Sequence, residues 1–254
     1  MKKIFLLYTL IISAAQMQAQ NFIDKALIEY EVKTSIKKTM GSGGFFEDAF
    51  KEKLPDFKTN YFHLVFDNNK SIYRFHHKDP KSTIPEWFSE NEEENSWFSD
   101  YNSGISSMKK ILGGNTMLVQ DSILKINWKL SNESRMIAGF NCRKATGIIM
   151  DSVYVFAFYS EELLLPGGPC NINGLPGTIL GLTIPRLYTS WIATKVEVAN
   201  VKTSEIKPAV SKKVYTRSSY EAMLIERTKD WVETDPDEPD ANKWYRLFIW
   251  NAML

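Results

Sequence analysis

Two thiols, three imidazoles and one pair of adjacent carboxylates are the groups whose types and spacing first suggest chemistry: Cys142 and Cys170; His63, His76 and His77; and Glu161 with Glu162. A thiol nucleophile needs a base within hydrogen-bond reach. All three histidines come early, on segments patterned as strands, and no Cys/His spacing of a recognisable kind occurs. His76 and His77 could join His63 around a metal, but consecutive strand residues project to opposite faces, so the sequence predicts surface histidines and no metal site. The same alternation parts Glu161 from Glu162, and paired acids need distinct surroundings to split into acid and base. A hydrolase using these two beside the neighbouring Gly/Pro-rich segment is the weakest of three functional readings. HExxH and G-x-S-x-G motifs are missing too, so no catalytic residue and no cofactor are expected.

How the cysteines read depends on compartment. Lys2 and Lys3 precede an apolar run from Ile4 to Ala15, and a short polar stretch ends at Ala19. That is the three-part layout of a signal peptide, so residues 1–19 are expected to be removed on export. About 12 apolar residues are too few to span a bilayer, which needs about 20 in a helix, and no later segment is long and apolar enough. No cysteine stands at the junction to take a lipid. An oxidising compartment makes a Cys142–Cys170 disulfide the leading expectation, with two buried thiols as the alternative. Closing that loop would stabilise the fold by roughly 3.5 kcal/mol.

Charge excludes one class of partner. The chain carries 31 basic and 30 acidic residues, and loss of Lys2 and Lys3 leaves 29 against 30. Basic residues are interspersed with acidic ones rather than gathered on one face, so no nucleic-acid footprint is present. The sharpest cluster, Glu90 with Glu92, Glu93 and Glu94, is expected to be a solvated loop. Hydrophobic residues at 44% and aromatics at 13% are enough for a sizeable core.

The elements that must hold these groups are mostly strands. Ile28, Tyr30 and Val32 alternate with Glu29 and Glu31; Phe62, Leu64 and Phe66 do the same before Asp67–Lys70 supplies turn chemistry and Ile72–Phe75 resumes the pattern. Ile126, Trp128 and Leu130 alternate with polar residues. Asn141–Ile149 and Val153–Tyr159 flank a turn at Asp151 and Ser152, with the second run expected to be covered on both faces, and Thr178–Ile184 and Trp191–Val198 complete the set. Helical spacing occurs at Phe46, Phe50 and Leu54 before Pro55, and at Tyr220, Met223, Leu224, Arg227 and Trp231 after a Ser218/Glu221 capping box. An acidic, proline-containing loop (Thr234–Asp240) leads to a helical aromatic tail, Trp244–Trp250, expected to dock on the core. Strands in succession with helices at the margins predict one mainly β domain over residues 20–254. Its expected form is a single curved or half-closed antiparallel sheet, a bowl or partial barrel.

Between Pro166 and Gly181 the sequence reads PGGPCNINGLPGTILG, with five glycines and three prolines. Glycine reaches positive φ cheaply and proline fixes φ, so this stretch sets backbone shape; Leu175–Thr178 suits a type II turn feeding an apolar strand. A phosphate loop would need Lys and Ser or Thr after its last glycine, and these are missing. GLPGTI at Gly174–Ile179, preceded by Gly167, Gly168 and Pro169, resembles the signature of the GLPGLI family of exported Gram-negative envelope proteins. IAGFNCRKA at Ile137–Ala145, FYSEE at Phe158–Glu162 and WIATKVE at Trp191–Glu197 extend the resemblance across the centre of the chain. The sequence departs at Thr178, where the family usually has Leu, while Leu175, Pro176, Gly177 and Ile179 keep the motif.

The resemblance implies periplasmic or outer-surface location and an accessory, non-catalytic role, since related domains form a bowl-shaped β module attached to a glycan-releasing enzyme. The first functional reading is therefore a binding or scaffold domain whose partner is an envelope protein, a glycan or a lipid. The second is a carrier holding an apolar ligand against a concave sheet, motivated by 7 Trp, 11 Tyr and 15 Phe.

Overall fold

Alternation builds the first strand as expected. In β1 (Lys25–Ser35) Ile28, Tyr30 and Val32 are buried while Glu29 and Glu31 face outward. The computed structural model describes residues 23–39, 52–84, 92–198, 206–231 and 241–254. The expected signal peptide (1–19), the helix through Phe46 and Phe50, Glu90 and the Thr234–Asp240 loop lie outside the described residues.

The strands that follow are β2 (Phe57–Asp67), β3 (Lys70–Lys78), β4 (Ser96–Asp100), β5 (Ile105–Leu112), β6 (Asn115–Ser122), β7 (Lys129–Ile137), β8 (Phe140–Ile149), β9 (Val153–Ser160), β10 (Thr178–Ile184), β11 (Thr189–Glu197) and β12 (Val214–Tyr215). They form one sheet in the order β12-β6-β5-β4-β3-β2-β1-β11-β10-β9-β8-β7, with β12 and β7 as edges, so it is open and not a closed barrel. All pairs are antiparallel except the two-residue contact of β12 with β6. Register lines up one buried row across six strands: Val119, Met108, Trp97, Tyr73, Leu64 and Ile28 are successive partners. Among the described residues three helices accompany the sheet, α1 (Ile36–Thr39), α2 (Arg217–Thr228) and α3 (Ala241–Met253), and none is long and apolar enough to cross a membrane.

Local chemistry explains the joins. Asn68 and Asn69, at φ 50° and 59°, form the two-residue turn between β2 and β3, as the sequence predicts. The β8–β9 turn instead centres on Met150 and Asp151, at φ 48° and 60°. β9 is covered on both faces only in its second half, since Tyr154 is exposed. The capping box lies two residues before the expected pair: the Thr216 hydroxyl accepts from the Ser219 N–H while the Ser219 hydroxyl accepts from the Thr216 N–H. Ile126 and Trp128 are not in a strand; they pack over Gly147, and Trp128 donates its indole N–H to the Asn173 carbonyl at 2.9 Å. The aromatic tail is α3, and Leu247, Ile249 and Leu254 are buried with it.

One irregularity reverses an expectation. β3 pairs Phe75 with Phe62 and His77 with Tyr61, leaving His76 as an extra, bulged residue. His76 stacks on His63 and His77 on Tyr61, so both histidines share the outer face rather than lying on opposite faces.

Candidate functional site: the concave face

β9 leaves the sheet at Ser160 and β10 re-enters it at Thr178, and most of the connection between them is buried rather than held out in solvent. Leu163, Leu165, Pro169, Cys170, Ile172 and Leu175 are buried. A buried loop must pair its polar groups. The Asn171 side chain does so twice, accepting from the Ser99 hydroxyl at 3.1 Å and donating to the Ser107 carbonyl at 3.1 Å, which ties the loop to β4 and β5. On the other side Tyr30 donates its hydroxyl to the Ile179 carbonyl at 2.7 Å. The Thr178 hydroxyl lies 3.0 Å from the Leu163 carbonyl and 2.9 Å from that of Leu165, so the one position departing from the GLPGLI pattern supplies a hydrogen bond within the loop.

The expected type II turn does not form. The Thr178 N–H donates to Leu163 at 2.9 Å, not to Leu175, and the Gly177 N–H donates to the Leu175 carbonyl at 2.8 Å. This makes a three-residue turn centred on Pro176, with Gly177 at φ +153°. Gly167, at φ +105°, packs so closely that an added Cβ would stand 2.0 Å from the Tyr101 hydroxyl. Gly168 lies directly against Ile179, while Gly174 stands exposed beside Trp128.

Loop and C-terminal helix together divide the concave face into two chambers. The larger, about 270 Å³, has a mostly apolar floor that includes Trp97, Met108, Val119 and Ile172, and a charged mouth of Asp121, Asp151, Arg217 and Glu221. The smaller, about 120 Å³, is lined by Tyr73, Trp191, Lys58, Glu92 and Lys110 among others. Trp97, Cys170 and Leu254 line both and form the wall between them. The Trp97 indole N–H donates to the Leu254 carbonyl and the Lys110 ammonium to that of Asn251, which latches the end of α3 onto β4 and β5.

Electrostatics differ between the chambers. Asp121 accepts the Arg217 backbone N–H at 3.0 Å and the Ser122 N–H at 2.7 Å; these bonds hold its carboxyl below the usual range, so it is an anion at neutral pH. Burial under α3 pushes Lys110 down to about 8.

The expected disulfide is absent: Cys142 and Cys170 are both free and buried. Cys142 sits on β8 with its thiol toward the Phe140 carbonyl at 3.5 Å, whereas Cys170 lies in the chamber wall beside Trp97. Burial raises both thiols, Cys142 to about 11 and Cys170 to about 12. Glu161 accepts from Arg143 at 3.2 Å and Glu162 from the Asn141 N–H at 3.0 Å; neither lines a chamber. Glu92, Glu93 and Glu94 are not simply solvated. They pair with Lys58, Lys78 and Lys109 and fasten their turn to β2, β3 and β5. Sequence reasoning missed Asp121, Arg217 and Trp97, which come together only through the sheet register and the β6-to-α2 contact.

No protein-family model matches the chain, and no curated protein shows significant sequence similarity to it. Among solved structures the fold is similar to PNGF-II: 14% identity over 79% of this chain, TM-score 0.51. A second crystal form of PNGF-II gives 15% over 76% of the chain, TM-score 0.49. An uncharacterized conserved protein from Thermus thermophilus gives 8% over 80% of this chain and 99% of its own, TM-score 0.38. The chain spans 33% and 30% of the two PNGF-II chains, about a third of their length.

Proposed function

We propose that this chain is an exported, non-catalytic binding module of the Gram-negative envelope, of the kind the GLPGLI resemblance implies, and that its larger concave chamber is the ligand site. The observation that carries the reading is the pairing of an apolar floor with a charged mouth, the usual composition of a small-molecule site. At about 270 Å³ the chamber falls just below the range of about 300–1,000 Å³ typical of drug-sized ligands. That favours a short amphipathic ligand over the carrier reading, in which a long acyl chain would need the space taken by the loop and α3. Three carboxylates against one guanidinium leave the mouth two charges negative, so a cationic head group fits it. The fold corresponds to about a third of the PNGF-II chain, so in that protein it occurs as one part of a longer chain.

Octylamine and octanoate serve as probes of opposite head-group sign in thermal-shift and native mass-spectrometry titrations of the mature chain. Octylamine is expected to raise the melting temperature, more so at low salt, and octanoate to do so less. Val119→Trp, which fills the chamber, is expected to abolish the effect. Equal binding by Val119→Trp and the parent chain would refute the assignment.

A further inference from the structure

On the outer face, across the sheet from the chambers, three side chains from three strands converge. Glu29 on β1 and His63 on β2 are register partners, and His63 Nε2 lies 3.4 Å from Glu29 Oε2. The His76 ring of β3 stacks on His63 with centroids 3.7 Å apart and planes at 24°. One ligand atom from each residue falls within 4.8 Å of the other two. In an unbroken ladder His76 would stand opposite Tyr61; as the bulged residue it sits between the Phe62 and Tyr61 rows, and its ring stacks on His63 instead. His77 takes the place opposite Tyr61 and is held there by stacking, centroids 4.5 Å apart and planes at 9°. Thr194 donates its hydroxyl to the other carboxylate oxygen, Glu29 Oε1, at 2.9 Å, which leaves Oε2 turned toward the histidines.

A separation of 3.4 Å is long for a hydrogen bond. It matches the spacing of two zinc ligands, which at about 2.0–2.1 Å from the metal and the tetrahedral angle stand about 3.3–3.4 Å apart; His76, stacked on His63, must turn about its Cβ–Cγ bond to aim a ring nitrogen at the same ion. Two imidazoles with one carboxylate match zinc, whereas calcium and magnesium take oxygen ligands. We propose that Glu29, His63 and His76 form a zinc-binding site on the outer face of the sheet, with the fourth position open to water or to a ligand atom from another molecule. The metal would clamp β1, β2 and β3 together at the bulge.

Isothermal titration of the mature, tag-free chain with zinc chloride, after treatment with EDTA, tests this. One zinc per chain is expected with a micromolar or tighter dissociation constant. His76→Ala and Glu29→Gln should each weaken it at least tenfold, and His77→Ala should leave it within twofold. His76 is exposed, so its variant is expected to fold, and circular dichroism checks this. Cobalt should give the visible absorption of a four-coordinate nitrogen/oxygen site in the parent chain and lose it in His76→Ala. The proposal is overturned by millimolar or no binding, by affinity that survives His76→Ala or Glu29→Gln, or by loss in His77→Ala.

Discussion

Gly177→Ala places a methyl group where the structure has main chain. The added Cβ would stand 2.1 Å from the Ser160 carbonyl oxygen and 2.7 Å from its carbon. No side chain can swing aside, because Ser160 ends β9 and is itself the register partner of Thr178 on β10. At φ +153° a residue with a side chain is strained by about 1–3 kcal/mol. Forcing two paired strands apart adds about 1–3 kcal/mol. The expected loss of about 2–6 kcal/mol is a large part of a domain stability of about 5–15 kcal/mol. Gly174→Ala is the control: φ is +93°, the residue is exposed, and the nearest atom to an added Cβ is Trp128 Nε1 at 3.4 Å, so only the backbone strain applies. Urea unfolding followed by fluorescence and far-ultraviolet circular dichroism compares them, with unchanged m-values required. Each kcal/mol shifts melting by about 2–4 °C at this size, so the Gly177 variant should melt about 4 °C or more below the parent. Should Gly177→Ala prove milder than Gly174→Ala, or fall within about 1 kcal/mol of the parent, the close approach of Gly177 to Ser160 is not what shapes the loop.

Three further outcomes follow from the buried thiols and the loop. The thiols of Cys142 and Cys170 are raised in the folded chain from their ordinary 9 to about 11 and 12, so their contribution is intact below pH 9 and lost as pH rises through that window. Between about pH 9 and 10 the parent should lose about 2 kcal/mol more than a Cys142→Ala/Cys170→Ala variant; parallel profiles would contradict the burial described. The mass of the chain should not change on reduction, and both thiols should react with an alkylating agent only after unfolding. Thr178→Val keeps the shape of the side chain but leaves the Leu165 carbonyl without its partner, at a cost of about 1–3 kcal/mol in urea unfolding; an unaltered midpoint would show that this hydroxyl is dispensable.

Period-two alternation was enough to read β1, the β2–β3 hairpin, β8 to β11 and the mainly β, open-sheet class, because each strand buries one face and the pattern records it. Alternation carries no information about where a ladder slips by one residue. That is why His76 and His77 read as opposed when a bulge sets them side by side. Trp128 obeys the pattern without being in a strand, since its partner is a carbonyl of the Gly/Pro loop. The cysteines show a different limit: compartment chemistry permits a disulfide, but only tertiary placement can bring two sulfurs together. Of the candidate site, the loop was legible from its glycines and prolines. The chamber was not, because its mouth joins the end of β6 to the start of α2 across 96 positions of sequence.

β1 lies inside the sheet, between β2 and β11. Its β2 edge is filled early, but its other edge must wait for residues near the end of the sheet: Thr194 reaches Glu29 across 165 positions. A chain made from its N-terminus therefore carries half a bowl with a bare, alternating apolar margin until its last third emerges. Long-range closure of this kind is slow, and an open margin of Ile28, Tyr30 and Val32 is a template for a second copy. The topology therefore sets an interval in which that margin is open, ended only when β11 pairs with β1. A chain cut short before Thr189 should clump with its neighbours rather than persist as a smaller bowl.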